Sequence, residues 1–173
     1  MKKSAINPMP EYFDRYINQT DDVTVSEALQ ISLNELDAFP LAQWEALGDR
    51  VYAPDKWTIQ DILQHLIDTE RIFAYRALCF ARGEQTPLPS YDENEYAHQA
   101  NAQHRTLTDL IAELRLVRQS SIALYQSFTS EMLLRTGLSF KGHYSVLAIG
   151  FILAGHQRWH QGIIQERYLS LLG

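Results

Sequence analysis

Two histidines near the carboxyl end of the chain have a spacing suited to metal binding. His156 and His160 lie four residues apart in the segment AGHQRWHQG, so on a helix their imidazoles project from the same face. Apolar residues such as Ile152 and Ile163 precede and follow them on that face, which directs the pair toward a core. Two imidazoles placed in this way can share one metal ion, or they can be hydrogen-bonded core histidines without metal.

A third histidine, His65, extends this hypothesis. It lies midway along another predicted helix, at the edge of its apolar face, and it converges on His156 and His160 if the two helices are neighbours. Taken alone, His65 is also consistent with an ordinary core histidine. Three neutral imidazoles with one open position form the ligand set of a catalytic zinc-type site. The sequence therefore predicts a site for one divalent metal ion on His65, His156 and His160, with a metal-free histidine cluster as the alternative.

Two better-known metal motifs do not fit the sequence. The segment HQRWH carries Gln157 where the H-E-x-x-H motif of zinc proteases carries its catalytic glutamate. Di-iron bundles need a Glu-x-x-His pair on each of two helices, and only Glu95 and His98 match that spacing, beside a proline-containing segment. The sequence therefore favours neither a zinc protease nor a ferritin-like di-iron protein.

The elements that must position these residues are predicted to be helices. Four apolar series with helical spacing predict helices over about 24–39, 58–82, 103–128 and 145–171. Residues of capping type stand at the first, second and fourth predicted starts. The segment 137–144 is predicted to be a turn, and no alternating pattern indicates a strand. The predicted fold is therefore all-α, a four-helix bundle.

Two connecting segments stand out. Residues 1–22 form a proline-containing N-terminal arm, and residues 83–101 make a long loop between the second and third helices. Long ordered loops are often functional. The loop carries a polar and aromatic run that either folds over the metal site or is simply solvated: Tyr91, Asp92, Glu93, Asn94 and Tyr96.

A few further residues are singled out by type and position. Glu70 lies on the apolar face of the second helix, so it needs a hydrogen-bond or arginine partner, and a structural salt bridge is favoured over a role in supporting the metal site. Arg76 shares the face of His65 and is interpreted as a solvated or loop-tethering residue rather than an anion-binding one. No residue near Cys79 in the sequence indicates a lowered thiol pKa, so Cys79 is not expected to act as a nucleophile. Trp57 and Trp159 are predicted to be packing residues, with a dimer contact as the alternative for Trp159. Three further histidines are predicted to be exposed: His98, His104 and His143.

Composition sets the class of protein. A chain of 173 residues can bury a full core as one domain, 1–173, without help from a metal. The single cysteine favours a reducing compartment, the cytoplasm, and a net charge of −6 disfavours nucleic-acid binding. The longest apolar stretch, 146–154, is far shorter than the roughly 20 residues that span a bilayer, so no membrane association is expected.

Three segments together resemble the DinB/YfiT-like family of four-helix bundles. They are YAPDKWTIQDILQHLIDTERIFAYR at 52–76, TPLPSYDENEY at 86–96 and IGFILAGHQRWHQGIIQERYL at 149–169. The resemblance covers nearly the whole chain. It implies that His65, His156 and His160 bind a divalent metal, commonly nickel or zinc, and that the protein forms a homodimer.

The resemblance also implies a range of functions. Relatives include thiol-dependent transferases, some using bacillithiol, and the mycothiol-dependent maleylpyruvate isomerase. The expected function is that of a divalent-metal-dependent enzyme, a transferase using a low-molecular-weight thiol as cosubstrate or a hydrolase, acting on a small-molecule substrate. The alternative is a stress-associated protein that binds a metal or ligand without turnover.

Overall fold

The computed structural model describes residues 1–139 and 142–172, which contain eight α-helices and two short strands. The helices are α1 (Asp14–Ile17), α2 (Val25–Glu35), α3 (Leu41–Leu47), α4 (Ile59–Ala81), α5 (Glu93–Ala100), α6 (Leu107–Gln126), α7 (Ser130–Leu134) and α8 (Val146–Ile163). A π-helical turn, Ile164–Tyr168, and a 3₁₀ turn, Leu169–Leu172, extend α8. Strands β1 (Thr136–Ser139) and β2 (Gly142–Ser145) pair antiparallel.

Local sequence fixes the starts of the long helices. The Thr24 hydroxyl accepts a hydrogen bond from the backbone N–H of Glu27, and the Glu27 carboxylate accepts one from the backbone N–H of Thr24. Thr58 and Asp61 form the same reciprocal pair at the start of α4, and Ser145 caps α8. These caps satisfy backbone donors that the first helical turn leaves free, which is why these starts fall where the sequence predicts them.

The four long helices α2, α4, α6 and α8 form the bundle. Helix α4 packs against both α6 and α8, and α2 packs against the same two helices from the opposite side. The predicted all-α four-helix bundle is confirmed. Because α4 and α8 are neighbours, the two helices that carry the three histidines face each other.

Polar side chains interrupt the core at the middle of the bundle. Apolar residues form two clusters, one toward each end. Along α2, α6 and α8 the buried polar residues fall between the two clusters, and along α4 the polar residues Thr69 and Glu70 do so, while His65 lies at the edge of one cluster. This polar layer contains Ser32 from α2, His65 and Glu70 from α4, Arg118 from α6, and His156 and Gln157 from α8. Buried polar groups are costly unless they are paired, so the layer marks the part of the bundle where function is to be sought.

The connections contain more structure than the sequence predicts. The turn expected at 137–144 is wrong in part, because β1 and β2 pair as antiparallel strands on either side of residues 140 and 141, which lie outside the described residues. The buried positions of β1 are Gly137 and Ser139, which are too small to produce an apolar alternation in the sequence. The loop at 83–101 contains α5, the connection after the first predicted helix begins with α3, and the N-terminal arm contains α1.

Among the described residues, no helix has the length and apolar character needed to cross a membrane.

Candidate metal centre

Three imidazoles meet in the polar layer between α4 and α8. The Nε2 atom of His156 lies 3.1 Å from Nε2 of His65 and 3.0 Å from Nε2 of His160. One ligand atom from each of the three rings lies within 4.8 Å of the other two. The structure thus brings together all three histidines that the sequence singles out, from two helices and from positions 91 residues apart.

Burial keeps the three imidazoles neutral. It lowers the pKa of His65 to about 3, with the charge of His160 adding to the effect. Burial likewise lowers the pKa of His160 to about 4 and that of His156 well below its usual range, where the neighbouring histidines and Arg118 contribute further. A neutral imidazole keeps a lone pair on one ring nitrogen, which is the form that binds metals.

The donor set fits a divalent cation better than it fits a hydrogen-bonded cluster. A ring nitrogen carries either one proton or one lone pair, so Nε2 of His156 cannot make good hydrogen bonds to two other Nε2 atoms at once. A shared cation removes this conflict, because all three lone pairs then point at the same position. Bonds of about 2.0 to 2.1 Å from zinc to nitrogen place the nitrogens of neighbouring ligands about as close as His156 lies to His65 and to His160.

The outer nitrogen of His65 is held by a short chain of hydroxyls. Thr69, one turn further along α4, has its Oγ1 3.4 Å from Nδ1 of His65 and 2.8 Å from the phenol oxygen of Tyr91. When Nε2 of His65 serves as the ligand atom, Nδ1 carries the proton and donates it to Thr69. Such outer contacts fix the ring orientation and the tautomer of a metal-binding histidine.

Aromatic rings enclose the triad. The Trp57 ring lies 4.7 Å from the His65 ring and 6.4 Å from the His160 ring, measured between centroids. On the other side, the Tyr16 ring contacts His156 edge-on at 4.8 Å. Burial raises the pKa of the Tyr16 phenol, and nearby Tyr12 adds to the rise, so Tyr16 is present as a neutral hydrogen-bonding group.

An ion pair anchors α8 close to the triad. The Arg118 guanidinium donates to both carboxylate oxygens of Glu70, at 2.8 and 2.9 Å, and both side chains are almost fully buried. Arg118 also donates to the backbone carbonyl of Leu153 at 3.1 Å, one turn before His156, and to the hydroxyl of Ser32. Glu70 therefore has the arginine partner that its buried position requires, and the pair ties α4, α6, α8 and α2 together.

A cavity of about 230 Å³ opens beside the triad and is called the site cavity below. His65 and His156 form part of its wall, with Tyr16, Phe73 and Arg76. His160 instead borders a second cavity of about 200 Å³ that lies next to Trp57. The triad thus stands between two spaces, and the site cavity reaches two of its three rings.

Comparison with known proteins places this architecture in a family. The family model for the DinB superfamily matches residues 17–164. The chain belongs to the DinB superfamily. No curated protein matches it significantly. Among solved structures it is similar to YfiT from Bacillus subtilis, described as a probable metal-dependent hydrolase with an unusual four-helix bundle topology. The two share 19% sequence identity and a TM-score of 0.65, covering 94% of this chain and 87% of that one, and this likeness bears on the fold.

The long connection of this DinB-superfamily bundle takes part in the site. Tyr91, Asp92 and Glu93 line the site cavity, and the Asp92 carboxylate caps α5 by accepting from the N–H groups of Asn94 and Glu95. Of the two interpretations of this segment, the one in which it folds over the histidines agrees with the structure for these three residues. Asn94 lines the second cavity instead. Tyr96 is about half exposed, and its ring lies at a tilt 5.0 Å from that of Tyr91.

Several cavity residues come from the N-terminal arm, for which the sequence predicted no role in the site. Tyr12, Phe13 and Tyr16 lie in the N-terminal arm, yet they line the site cavity, because α1 packs against α8. The aromatic content of the run EYFDRY was the available signal. Its contact with a helix more than a hundred residues away is a tertiary property that no local pattern shows.

Arg76, Trp159 and Cys79, which the sequence also singles out, lie outside the histidine triad. Arg76 is not solvated, being only 1% exposed, but it does tether the loop, since it donates to the carbonyl of Pro89 at 2.9 Å. Trp159 is partly buried against Tyr16, and Cys79 is partly buried and unpaired by disulfide. Three histidines outside the triad are exposed as predicted: His98, His104 and His143.

Proposed function

We propose that this DinB-superfamily protein is a metal-dependent enzyme acting on a small molecule that binds in the site cavity. His65, His156 and His160 would hold one divalent ion, zinc or nickel, as the only protein ligands. The observation that carries the proposal is the convergence of three neutral imidazoles, two of them buried and one partly buried, beside a cavity whose wall includes His65 and His156. Burying three imidazoles with their nitrogens close together is energetically unfavourable, and a cation bound between the nitrogens offsets that cost.

A divalent ion on three imidazoles supplies an open coordination position that activates a nucleophile or polarises a substrate. The protein's own residues set the conditions for that chemistry. Thr69 and Tyr91 orient the His65 ring, and Trp57 and Tyr16 limit the access of water to the ligand nitrogens. The Glu70–Arg118 pair holds the backbone from which His156 projects.

The nucleophile that fits this arrangement is either water, giving a hydrolase, or a low-molecular-weight thiol, giving a transferase. The description of YfiT as a probable metal-dependent hydrolase supports the first. The family resemblance to thiol-dependent transferases supports the second, and the apolar wall of the site cavity suits a thiol cosubstrate as well as it suits an organic substrate.

Cobalt substitution tests this proposal directly. Cobalt(II) added to metal-free protein is expected to give visible absorption bands of a low-symmetry site, which a His156→Ala variant lacks. A thiol such as cysteine is then expected to add an intense sulfur-to-cobalt band in the near ultraviolet if the transferase branch is correct. Cobalt bands that change with no thiol and with no candidate ester or amide substrate would favour a binding protein without turnover. The absence of any cobalt bands would overturn the metal site.

We also propose that the protein acts as a homodimer, without nucleic-acid or membrane partners. Support comes from the family resemblance and from large apolar side chains that stay exposed in the single chain, including Tyr75 at 57% and Leu116 at 66%. Light scattering at micromolar concentration is expected to give twice the chain mass of 19.9 kDa. A single species with the mass of one chain, 19.9 kDa, would contradict the dimer.

A further inference from the structure

Two arginines of this bundle are almost completely buried, and they differ in their partners. Arg118 and Arg76 are each 1% exposed. Arg118 is neutralised by the bidentate contact with Glu70. For Arg76, no carboxylate among residues 1–139 and 142–172 lies within 4.0 Å of the guanidinium. A buried charge without a counter-charge is costly, so the contrast needs an explanation.

The groups around Arg76 are neutral. Its guanidinium donates to the carbonyl of Pro89 at 2.9 Å and weakly to the phenol of Tyr144 at 3.5 Å. The guanidinium carbon also lies 4.8 Å from the centre of the Phe73 ring and 5.9 Å from that of Tyr91. These contacts hold the group in place but bring no negative charge to it.

Arg76 also borders the site cavity, in which His65 and His156 form part of the same wall. The two carboxylates that line this cavity, Asp92 and Glu93, belong to the segment 91–93 that folds over the histidines, called the covering segment below. Asp92 is occupied with capping α5, and the pKa of Glu93 is raised by burial and then by Asp92. Neither carboxylate lies within 4.0 Å of the Arg76 guanidinium. Arg76, although almost fully buried, therefore brings an unpaired positive charge to the wall of the site cavity.

We propose that Arg76 binds a carboxylate of the substrate, so that this protein acts on small organic monoanions with an apolar or aromatic body. The inference rests on the proposed function, because it names the class of molecule that the metal site acts on. Arginine binds carboxylates through paired N–H donors, and such charge-assisted bonds gain strength away from water. The rings of Phe13, Phe73 and Tyr16 surround the rest of the cavity, which suits an apolar body, and the acidic covering segment disfavours a doubly charged phosphate.

The probes for a test are benzoate and benzamide, which share shape and differ in charge. Both are titrated by calorimetry into zinc-loaded and zinc-free wild type, Arg76→Met, Arg76→Lys and Arg82→Met. Arg82 follows the end of the same helix and is exposed, so its variant controls for net charge. Wild type is expected to bind benzoate roughly tenfold or more tightly than benzamide, Arg76→Met to lose that preference, Arg76→Lys to keep part of it, and Arg82→Met to keep all of it.

Two results would overturn the carboxylate subsite: equal binding of the two probes by wild type, or an unchanged benzoate preference in Arg76→Met. In the second case, loss of benzoate binding on zinc removal would show that the carboxylate ligates the metal instead. Zinc content measured in the same samples separates the two proposals, because wild type that takes up no zinc but still prefers benzoate retains the subsite and loses the metal site.

A measurement on wild type alone covers the case in which Arg76→Met does not fold. Benzoate is expected to shift the Nε–H resonance of Arg76 in ¹⁵N NMR spectra, and benzamide is expected to leave it in place. An Arg76 signal that responds to neither probe would overturn the inference.

Discussion

Thr69 is the residue that connects the histidine triad to the segment covering the site cavity. Its hydroxyl lies between Nδ1 of His65 and the phenol of Tyr91, and it comes one turn after His65 on α4. The sequence could place Thr69 beside His65, because residues four apart on a helix share a face. Its contact with Tyr91 could not be predicted, since that contact depends on how the connection after α4 folds back.

We predict that Thr69→Val weakens metal binding by about tenfold while leaving the fold intact. Valine keeps the shape of threonine but cannot accept the proton of Nδ1, so the His65 ring loses the contact that fixes its tautomer, an effect of about 10- to 100-fold in other metal sites. Competition with a chromogenic chelator measures the affinity. Thr108→Val, at an exposed position of α6, is the matched control, and equal affinity in the two variants would contradict the prediction.

The buried ion pair between Glu70 and Arg118 is the second feature that depends on individual residues. The apolar setting of Glu70 predicted a partner, and an arginine partner was one of the two expected kinds. Which arginine it is depends on the packing of α6 against α4, and Arg118 has no feature in the sequence that separates it from exposed arginines.

We predict strong non-additivity in a double-mutant cycle on this pair. Glu70→Gln and Arg118→Met should each lower the free energy of unfolding by about 3 to 5 kcal/mol, because each leaves one buried charge unpaired. The double variant should lose much less than the sum of the two. Urea unfolding measures all three, with Arg115→Met as a control, since the Arg115–Asp37 pair is exposed and should matter by less than about 1 kcal/mol. Additive losses would contradict the interpretation.

At the scale of elements, helix α8 combines two tasks, packing and presentation of ligands. Its first half is buried on nearly all sides, and its second half carries His156 and His160. Capping residues and apolar period predicted this helix well. The short elements around it, α1 and the paired strands β1 and β2, escaped prediction because each is too short for a periodic pattern to develop.

The approach of α1 to α8 depends on a glycine, and this gives a prediction. A Cβ atom at Gly155 would overlap the backbone carbonyl of Tyr16, so Gly155→Ala must push α1 away. We expect a loss of about 1 to 3 kcal/mol in the free energy of unfolding, the usual cost of overpacking. At Gly162, further along the same helix, a Cβ meets nothing within 4 Å, so Gly162→Ala should be neutral or stabilising by up to about 1 kcal/mol. Equal effects would contradict the proposed contact.

At the scale of the whole molecule, the bundle places a polar layer between two apolar clusters. Leu29, Leu63 and Phe151 are among the fully buried residues of these clusters, and together the clusters provide a core that does not involve the histidines. The length and apolar content of the chain predicted such a core. The register that aligns the polar residues of four helices in one layer arises only from packing, so the sequence could name the histidines but not the shared layer.

This separation of core and site leads to the most direct test, the metal content of a His160→Ala variant. Two imidazoles are too few to hold the ion against water, while the core on both sides of the layer remains. His104→Ala, at an exposed position, is the control. After incubation with zinc and gel filtration without an affinity tag, wild type and His104→Ala should carry one ion per chain and His160→Ala close to none, with all three showing the same helical circular dichroism. Stoichiometric zinc in folded His160→Ala would contradict the assignment of the triad.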